Sequence, residues 1–231
     1  MRLAIMQPYF LPYIGYWQLM GAVDAFVVYD RIKYTKKGWI NRNRMLLNGS
    51  DALFSLPLGQ GSDSLMVCER QLAHSFDRQK LLAQLASAYR KAPQFESLHP
   101  LLQRVVLDPS SNLFDYLWQS IVKLREHLKL KTQLIVSSTV AHDESLRAQD
   151  KVLAICESLG AKTYVNAIGG LDLYQSEAFA ARGIELKFHK ASPIEYPQFG
   201  QAFVPWLSII DVLAFNASAD MDDLLNRYTL L

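Results

Sequence analysis

Gln7, Tyr9, Tyr13, Gly15 and Tyr16 crowd into one stretch that directly follows the apolar run Leu3-Ala-Ile-Met6. The Gln7 amide both donates and accepts hydrogen bonds, so it could recognise a ribose, an amino acid or a sugar. The tyrosine rings could stack on a base or a sugar, and their hydroxyls could orient it. Pro8 and Pro12 stiffen the backbone between them, which suits a preorganised site. The competing reading is an aromatic core under a rigid turn. Asp30 ends a second apolar run, Ala25 to Tyr29, where a ribose-binding, metal-binding or catalytic carboxylate would stand.

Lys36, Trp39, Asn41, Arg42 and Asn43 form the sharpest cluster. Arg42 and Arg44 alternate, so on a strand they share a face, with Asn41 and Asn43 opposite. Arginine offers a bidentate fork to phosphate or carboxylate, and Trp39 could stack on a ring. The competing reading is the solvated rim of a hairpin. No pair among the five histidines has metal-ligand spacing, and no metal site is expected. His189 lies just past the last apolar run and is the acid–base candidate. Asn166, followed by Gly169 and Gly170, opens a loop in which glycine permits close approach to a ligand. Ser208 and Asp211 share one face at the start of a late helix. Cys68 and Cys156 match neither a metal nor a redox spacing.

These residues need elements to hold them. Arg2 to Met6, Ala25 to Tyr29, Gln133 to Ser137, Lys162 to Asn166 and Ile184 to Phe188 read as short buried strands. Helices are expected over Leu11 to Val23, Leu146 to Leu159, Tyr174 to Arg182 and Trp206 to Phe215. That alternation predicts an α/β protein with a Rossmann-like, doubly wound, mostly parallel five-stranded sheet. Asn48-Gly49 signals a hairpin turn. Leu65 to Cys68 is a further candidate strand. Ser75 to about Leu128 reads as helical, broken at Pro93 and at Asp108-Pro109, with His99-Pro100 in a turn. The chain is expected to form one domain over 1–231, with residues 48–130 as an inserted hairpin and helical segment able to lid the site.

Composition sets outer limits. Half of the 231 residues are hydrophobic and the net charge is +2, so no global charge argues for nucleic acid, and any anion site must be local. Two cysteines make no disulfide framework, and the first apolar run is too short for a signal peptide. No run approaches a membrane-spanning length. A cytoplasmic protein without membrane insertion is expected.

At this point the residues carry a resemblance. Gln7-Pro-Tyr-Phe-Leu-Pro12-Tyr-Ile-Gly15-Tyr16, then Asp30, then Lys36-Lys-Gly-Trp39-Ile-Asn41-Arg42-Asn43-Arg44 resembles the WbqC-like protein family. Tyr89-Arg-Lys-Ala92-Pro93, Leu159-Gly160-Ala-Lys-Thr-Tyr164, Gly183-Ile184, Tyr196-Pro-Gln198 and Pro205-Trp-Leu-Ser208-Ile-Ile-Asp211 extend it over nearly the whole chain. The departure is Asn166, where the family often has Gly. The resemblance implies a bacterial protein associated with surface-polysaccharide clusters, O-antigen among them, in a family where some members look like sugar-modifying transferases. A weaker likeness joins Tyr13-Ile-Gly15-Tyr16 to the nucleotidyltransferase superfamily, which carries His-x-Gly-His there. It implies a phosphate beside Gly15, with Arg42 or Lys36 supplying the charge that tyrosine cannot.

Together these readings give a transferase that passes an acyl, aminoacyl or nucleotidyl group from a phosphate-bearing donor to a sugar acceptor. The donor could be a nucleotide, an acyl carrier or an aminoacyl-tRNA. The rival is a non-catalytic protein that binds a nucleotide-linked or sugar ligand for a partner enzyme. No cofactor is assigned.

Overall fold

A computed structural model describes residues 1–200 and 202–231. The chain opens with strand β1 (Arg2–Met6), helix α1 (Ile14–Gly21) and strand β2 (Ala25–Val28). A hairpin follows, β3 (Arg42–Leu47) and β4 (Ser50–Ser55), then helices α2 (Arg78–Tyr89), α3 (Phe95–Val106) and α4 (Leu113–His127). The remainder alternates: β5 (Gln133–Val136), α5 (Ala148–Ser158), β6 (Thr163–Ala167), α6 (Ser176–Ala180), β7 (Glu185–Ala191), α7 (Ile209–Phe215), α8 (Met221–Leu225) and β8 (Tyr228–Leu230).

Six strands form one sheet in the order β5-β2-β1-β6-β7-β8, and β3-β4 stands apart as a two-stranded hairpin. The first five are parallel; β8 joins β7 antiparallel, pairing His189 with Leu230 and Ala191 with Tyr228. The expected count of five was one short. Three residues near the end of the chain are too few to display a periodicity.

The two faces of the sheet are packed separately, because alternate residues of a strand point to opposite sides. Ala4, Phe26, Val28 and Val165 face a large core shared with Trp17, Met20, Ile210, Tyr89 and Tyr116. Leu3, Ile5, Ala25, Val27 and Tyr164 face a smaller one with Val152, Ile155, Cys156 and Phe179. Buried on both faces, these strands read as continuous apolar runs.

Local chemistry explains most boundaries. Asn48 and Gly49 both take positive φ, +52° and +80°, the conformation a type I′ hairpin turn requires. Asp77 caps α2 by accepting from the Lys80 amide at 2.9 Å, and Asn112 caps α4 by accepting from Phe114 at 2.8 Å. The helical stretch breaks near Pro93 and Asp108-Pro109, as read from the sequence. Two readings fail. His99 and Pro100 lie inside α3, not in a turn; Pro100 lacks only one amide, and Leu98, Leu101 and Leu102 hold that helix into the core. Leu65 to Cys68 forms no strand: Met66 makes a single bridge to Lys33, and Val67–Glu69 coil into one 3-10 turn.

Candidate functional site

A cavity of about 980 Å³ opens over the carboxyl ends of the parallel strands. Its floor comes from the residues that end each strand: Met6 and Gln7 after β1, Tyr29 and Arg31 after β2, Ser137 and Ser138 after β5. Asn166 and Ala167 end β6, and His189 to Ala191 end β7. Strand order reverses at β1, between β2 and β6, and open α/β sheets bind ligands at such a reversal. Trp39, Met66, Tyr174 and Trp206 form side walls, with Arg147, Ala148 and Lys151 from the start of α5.

His189 is a buried polar group of this lining. It is 3 % exposed, and its Nε2 has no hydrogen-bond partner among the described residues. The ring lies against Tyr228, with centroids 4.8 Å apart. Burial drives its pKa down to about 4, so the imidazole is neutral near pH 7. Asn166 also lines the cavity, its Oδ1 accepting from the Tyr164 hydroxyl at 3.3 Å. A Cβ on Gly170 would stand 2.1 Å from Asn166 Nδ2. Glycine at 170 is therefore what lets the Asn166 amide occupy its place.

Asp30 is buried just outside the lining. Its Oδ1 accepts from Ser137 Oγ at 2.7 Å and from the Ser138 amide at 3.0 Å. Burial pushes this carboxyl up, but the bonds from Ser137 and Ser138 prevail and hold it below its ordinary value. The carboxylate thereby ties the end of β2 to the end of β5 and presents both serines to the cavity.

The charge of the wall is lopsided. Arg31, Lys33, Arg147, Lys151 and Lys190 line it, against Glu144 alone. Arg31 bonds Glu144, and Lys151 lies over the Tyr29 ring at 5.5 Å. Burial, then the neighbouring Arg147, holds Lys151 below the usual lysine range.

Of the residues singled out in the sequence, Gln7, Tyr9, Tyr13, Trp39, Asn166, Gly169, Gly170 and His189 meet in this cavity. The others stand outside it. Tyr16 is buried and donates to the Gln7 carbonyl at 3.1 Å, bracing the loop from below. Gly15 is buried under the Tyr13 ring, where a Cβ would meet Cε2 at 2.4 Å; its close approach is to an aromatic ring. Asn43 Nδ2 donates to the carbonyls of Phe10 and Leu11 at 3.1 and 2.8 Å. Ser208 Oγ donates to the same Leu11 carbonyl at 2.7 Å and caps α7. Leu11 has a φ of +47°, an uncommon conformation for a branched residue, and these two side chains hold the loop in it.

The basic hairpin rim also turns away. Arg42 donates through Nε to the Gly38 carbonyl at 2.9 Å, and also bonds the Lys37 carbonyl. Arg42 and Arg44 both lie on the Trp39 ring, at 5.6 and 5.1 Å. Asn41 joins Tyr34 and the Leu56 carbonyl, and Lys36 pairs with Asp63 at 2.9 Å. Cys156 is buried, with its thiol pushed up to about 12. No group of three or more His, Cys, Asp or Glu among the described residues could hold a metal ion.

Sequence reasoning passed over Arg31, Arg147 and Lys151. A usable signal existed. Arg31 directly follows a strand-end residue, and Arg147 and Lys151 are four apart at the start of the helix after β5, where such sheets place their ligands.

The model of the WbqC-like protein family matches residues 7–223. The chain belongs to that family. It is also similar to the uncharacterized protein Rv1507c of Mycobacterium tuberculosis (strain ATCC 25618 / H37Rv), 24% identical over 230 residues, covering 98% of each chain. No solved structure matches. The family match spans both the strand-end loops and the hairpin and helices between β2 and β5. No helix among the described residues of this WbqC-like protein is long and apolar enough to cross a membrane.

Proposed function

We propose that this WbqC-like protein is a transferase, moving an acyl, aminoacyl or nucleotidyl group from a phosphate-bearing donor to a sugar acceptor. The setting we propose is the cytoplasmic phase of bacterial surface-polysaccharide synthesis, O-antigen included. One observation carries the enzymatic reading. A buried, neutral imidazole whose Nε2 has no partner among the described residues lines a large cavity whose charged groups are mostly cations. A buried polar atom without a partner costs free energy, and its persistence in a cavity is explained when a ligand supplies the partner.

The parts then divide the work. His189 Nε2 accepts the proton of the acceptor hydroxyl or amine as it attacks. Burial keeps the imidazole neutral and so free to take up that proton. Gln7 and Asn166 orient the acceptor through amide hydrogen bonds. Tyr9, Tyr13 and Trp39 supply rings for a base or sugar. Asp30 acts through orientation, fixing Ser137 and Ser138 at the wall. Catalysis is then mostly positioning and charge stabilisation.

Two features of the fold support this reading. Taken in chain order, the parallel strands follow the 3-2-1-4-5 sequence of nucleotide-binding, Rossmann-like sheets. One core joins the sheet to the hairpin and helices, which supports a single domain with residues 48–130 inserted as a cover.

The test is a thermal-shift panel of nucleotides, nucleotide-sugars and amino acids, followed by turnover assays on each ligand that binds. Group transfer by the wild type, lost in His189→Leu with ligand binding retained, is the expected result. Binding without transfer to any acceptor would replace the enzyme with a ligand-binding protein.

A further inference from the structure

We infer that the donor's phosphate binds at the first turn of α5, between Arg31, Arg147 and Lys151, and not beside Gly15 or at the hairpin rim. This rests on the transferase reading for the word donor; the anion site itself stands on the following observations. Three cations reach one corner of the cavity from two separate elements. Arg31 follows β2, while Arg147 precedes α5 and Lys151 belongs to its first turns. Arg31 bonds the Glu144 carboxylate, and Arg147 Nη1 donates to the Glu144 and Leu146 carbonyls at 2.5 and 2.8 Å. The two guanidinium groups therefore gather around one residue.

Lys151 completes the corner. Its ammonium lies over the Tyr29 ring, and the charges that act on it are Arg147 and Arg31 on one side and Asp30 and Glu144 on the other. Asp30 is already engaged with Ser137 and Ser138, and Asp150, in the same first turn, lies exposed and outside the lining. With Glu144 the one carboxylate of the lining against Arg31, Arg147 and Lys151, this corner keeps an excess of positive charge that attracts a further anion.

The backbone adds to this attraction. Arg147 stands at the N-cap of α5 and provides no side-chain cap, so the first-turn amides and the helix dipole favour a negative group there. The same cavity holds the unpartnered His189 Nε2, 97 % buried at its far wall. A phosphate at α5 and an acceptor at His189 would put the bond to be broken across the space between β1 and β6. The alternative cations, Arg42 and Lys36, stand outside the cavity lining. Arg42 bonds its own loop, Lys36 bonds Asp63, and the Tyr13 ring covers Gly15.

Calorimetric titration of the full chain with inorganic phosphate and pyrophosphate tests the site. Pyrophosphate is expected to bind the wild type, more weakly as salt rises. Lys151→Met should weaken it about 10- to 100-fold, the range of a charge-assisted hydrogen bond. Arg147→Gln, at an exposed position, should weaken it about 5- to 20-fold and guards against a folding defect in the first variant. Lys91→Met, remote and exposed, should stay within about twofold. Wild-type binding unchanged in both cavity variants, or binding of neither probe to the wild type, overturns the proposal. His189→Leu separates the two readings: retained pyrophosphate affinity with lost transfer supports both. Pyrophosphate binding that depends on Lys151, with no transfer by the wild type, keeps the anion site and ends the transferase.

Discussion

Two buried polar centres, one around His189 and one around Asp211, handle the same problem in opposite ways. Asp211 is fully buried in α7, and every direction around its carboxylate is filled. Oδ1 accepts from the Tyr196 hydroxyl at 2.7 Å and Gln198 Nε2 at 2.6 Å, and Oδ2 accepts from the Tyr89 hydroxyl at 3.1 Å. The Tyr89 oxygen in turn accepts from the Leu46 amide at 2.9 Å. That chain of bonds ties β3 and α2 to α7 and leaves no room for a ligand. His189 is nearly as buried, yet its Nε2 has no partner among the described residues and the residue lines a large cavity. Burial alone does not mark a site. Burial with an unmet hydrogen bond beside open volume does.

Catalytic loss should show the contrast most strongly. His189→Leu is expected to lower transfer by about 10²- to 10⁴-fold, the usual contribution of a positioned acid–base. Its melting temperature at pH 7 should stay near wild type, since Nε2 has no hydrogen bond to lose among the described residues. A large fall in stability would make His189 a second Asp211.

Asp211→Ala should do the reverse. It strands the donors of Tyr89, Tyr196 and Gln198 in the core, each costing roughly 1–3 kcal/mol. A net loss of about 4 kcal/mol is expected in chemical denaturation, with pyrophosphate affinity of the folded protein unchanged. Affinity that falls in step with stability would show that the two centres are coupled.

The two centres also titrate with opposite signs. His189 has a folded pKa of about 4, below its ordinary 6.5, so the unfolded chain binds its proton first. Stability from this residue is complete above pH 6.5 and is lost as pH falls towards 4, by about 3 kcal/mol over the full span. Asp211 is pushed up by burial, with Tyr196, Gln198 and Tyr89 opposing. The folded chain binds that proton first, so this term gains as pH falls towards the raised pKa. Unfolding titrations of wild type and His189→Leu isolate the first term: the variant should lose less stability between pH 6.5 and 4. Parallel curves would refute a depressed His189.

Smaller changes sharpen the picture of the wall. Gly170→Ala would place a methyl against Asn166 Nδ2, displacing the amide at about 1–2 kcal/mol and weakening acceptor binding more than pyrophosphate binding. Arg42→Ala should cost about 1 kcal/mol or less, from its carbonyl bonds and its contact with Trp39. It should weaken pyrophosphate less than Lys151→Met does. Equal or larger weakening would return the anion to the hairpin rim.

Much of the site's address was legible in the residues. Gln7, Tyr13, Asn166 and His189 each follow or flank a short apolar run, and parallel strands deliver their ends to one side of a sheet. What misled was residue type taken without direction. Arg42, Asn43 and Ser208 look like ligand contacts by chemistry, but they bond backbone carbonyls, Arg42 that of Gly38 in its own loop and both Asn43 and Ser208 that of the distant Leu11. Gly15 looked like a phosphate approach and proved to be a seat for the Tyr13 ring. Arg31, Arg147 and Lys151 carried no motif and were passed over.

The sequence alone determined the alternation of strands and helices, the hairpin turn at Asn48-Gly49 and the breaks near Pro93 and Pro109. Each of these depends on local periodicity or on backbone limits within a few residues. Tertiary structure decided the order β5-β2-β1-β6-β7-β8, the late strand Tyr228–Leu230 and the meeting of Arg31 with Arg147. It also decided which buried polar groups found partners and which did not. Those outcomes turn on contacts between residues distant along the chain, where side-chain direction and competing hydrogen-bond partners, not residue type, settle what each group can still bind.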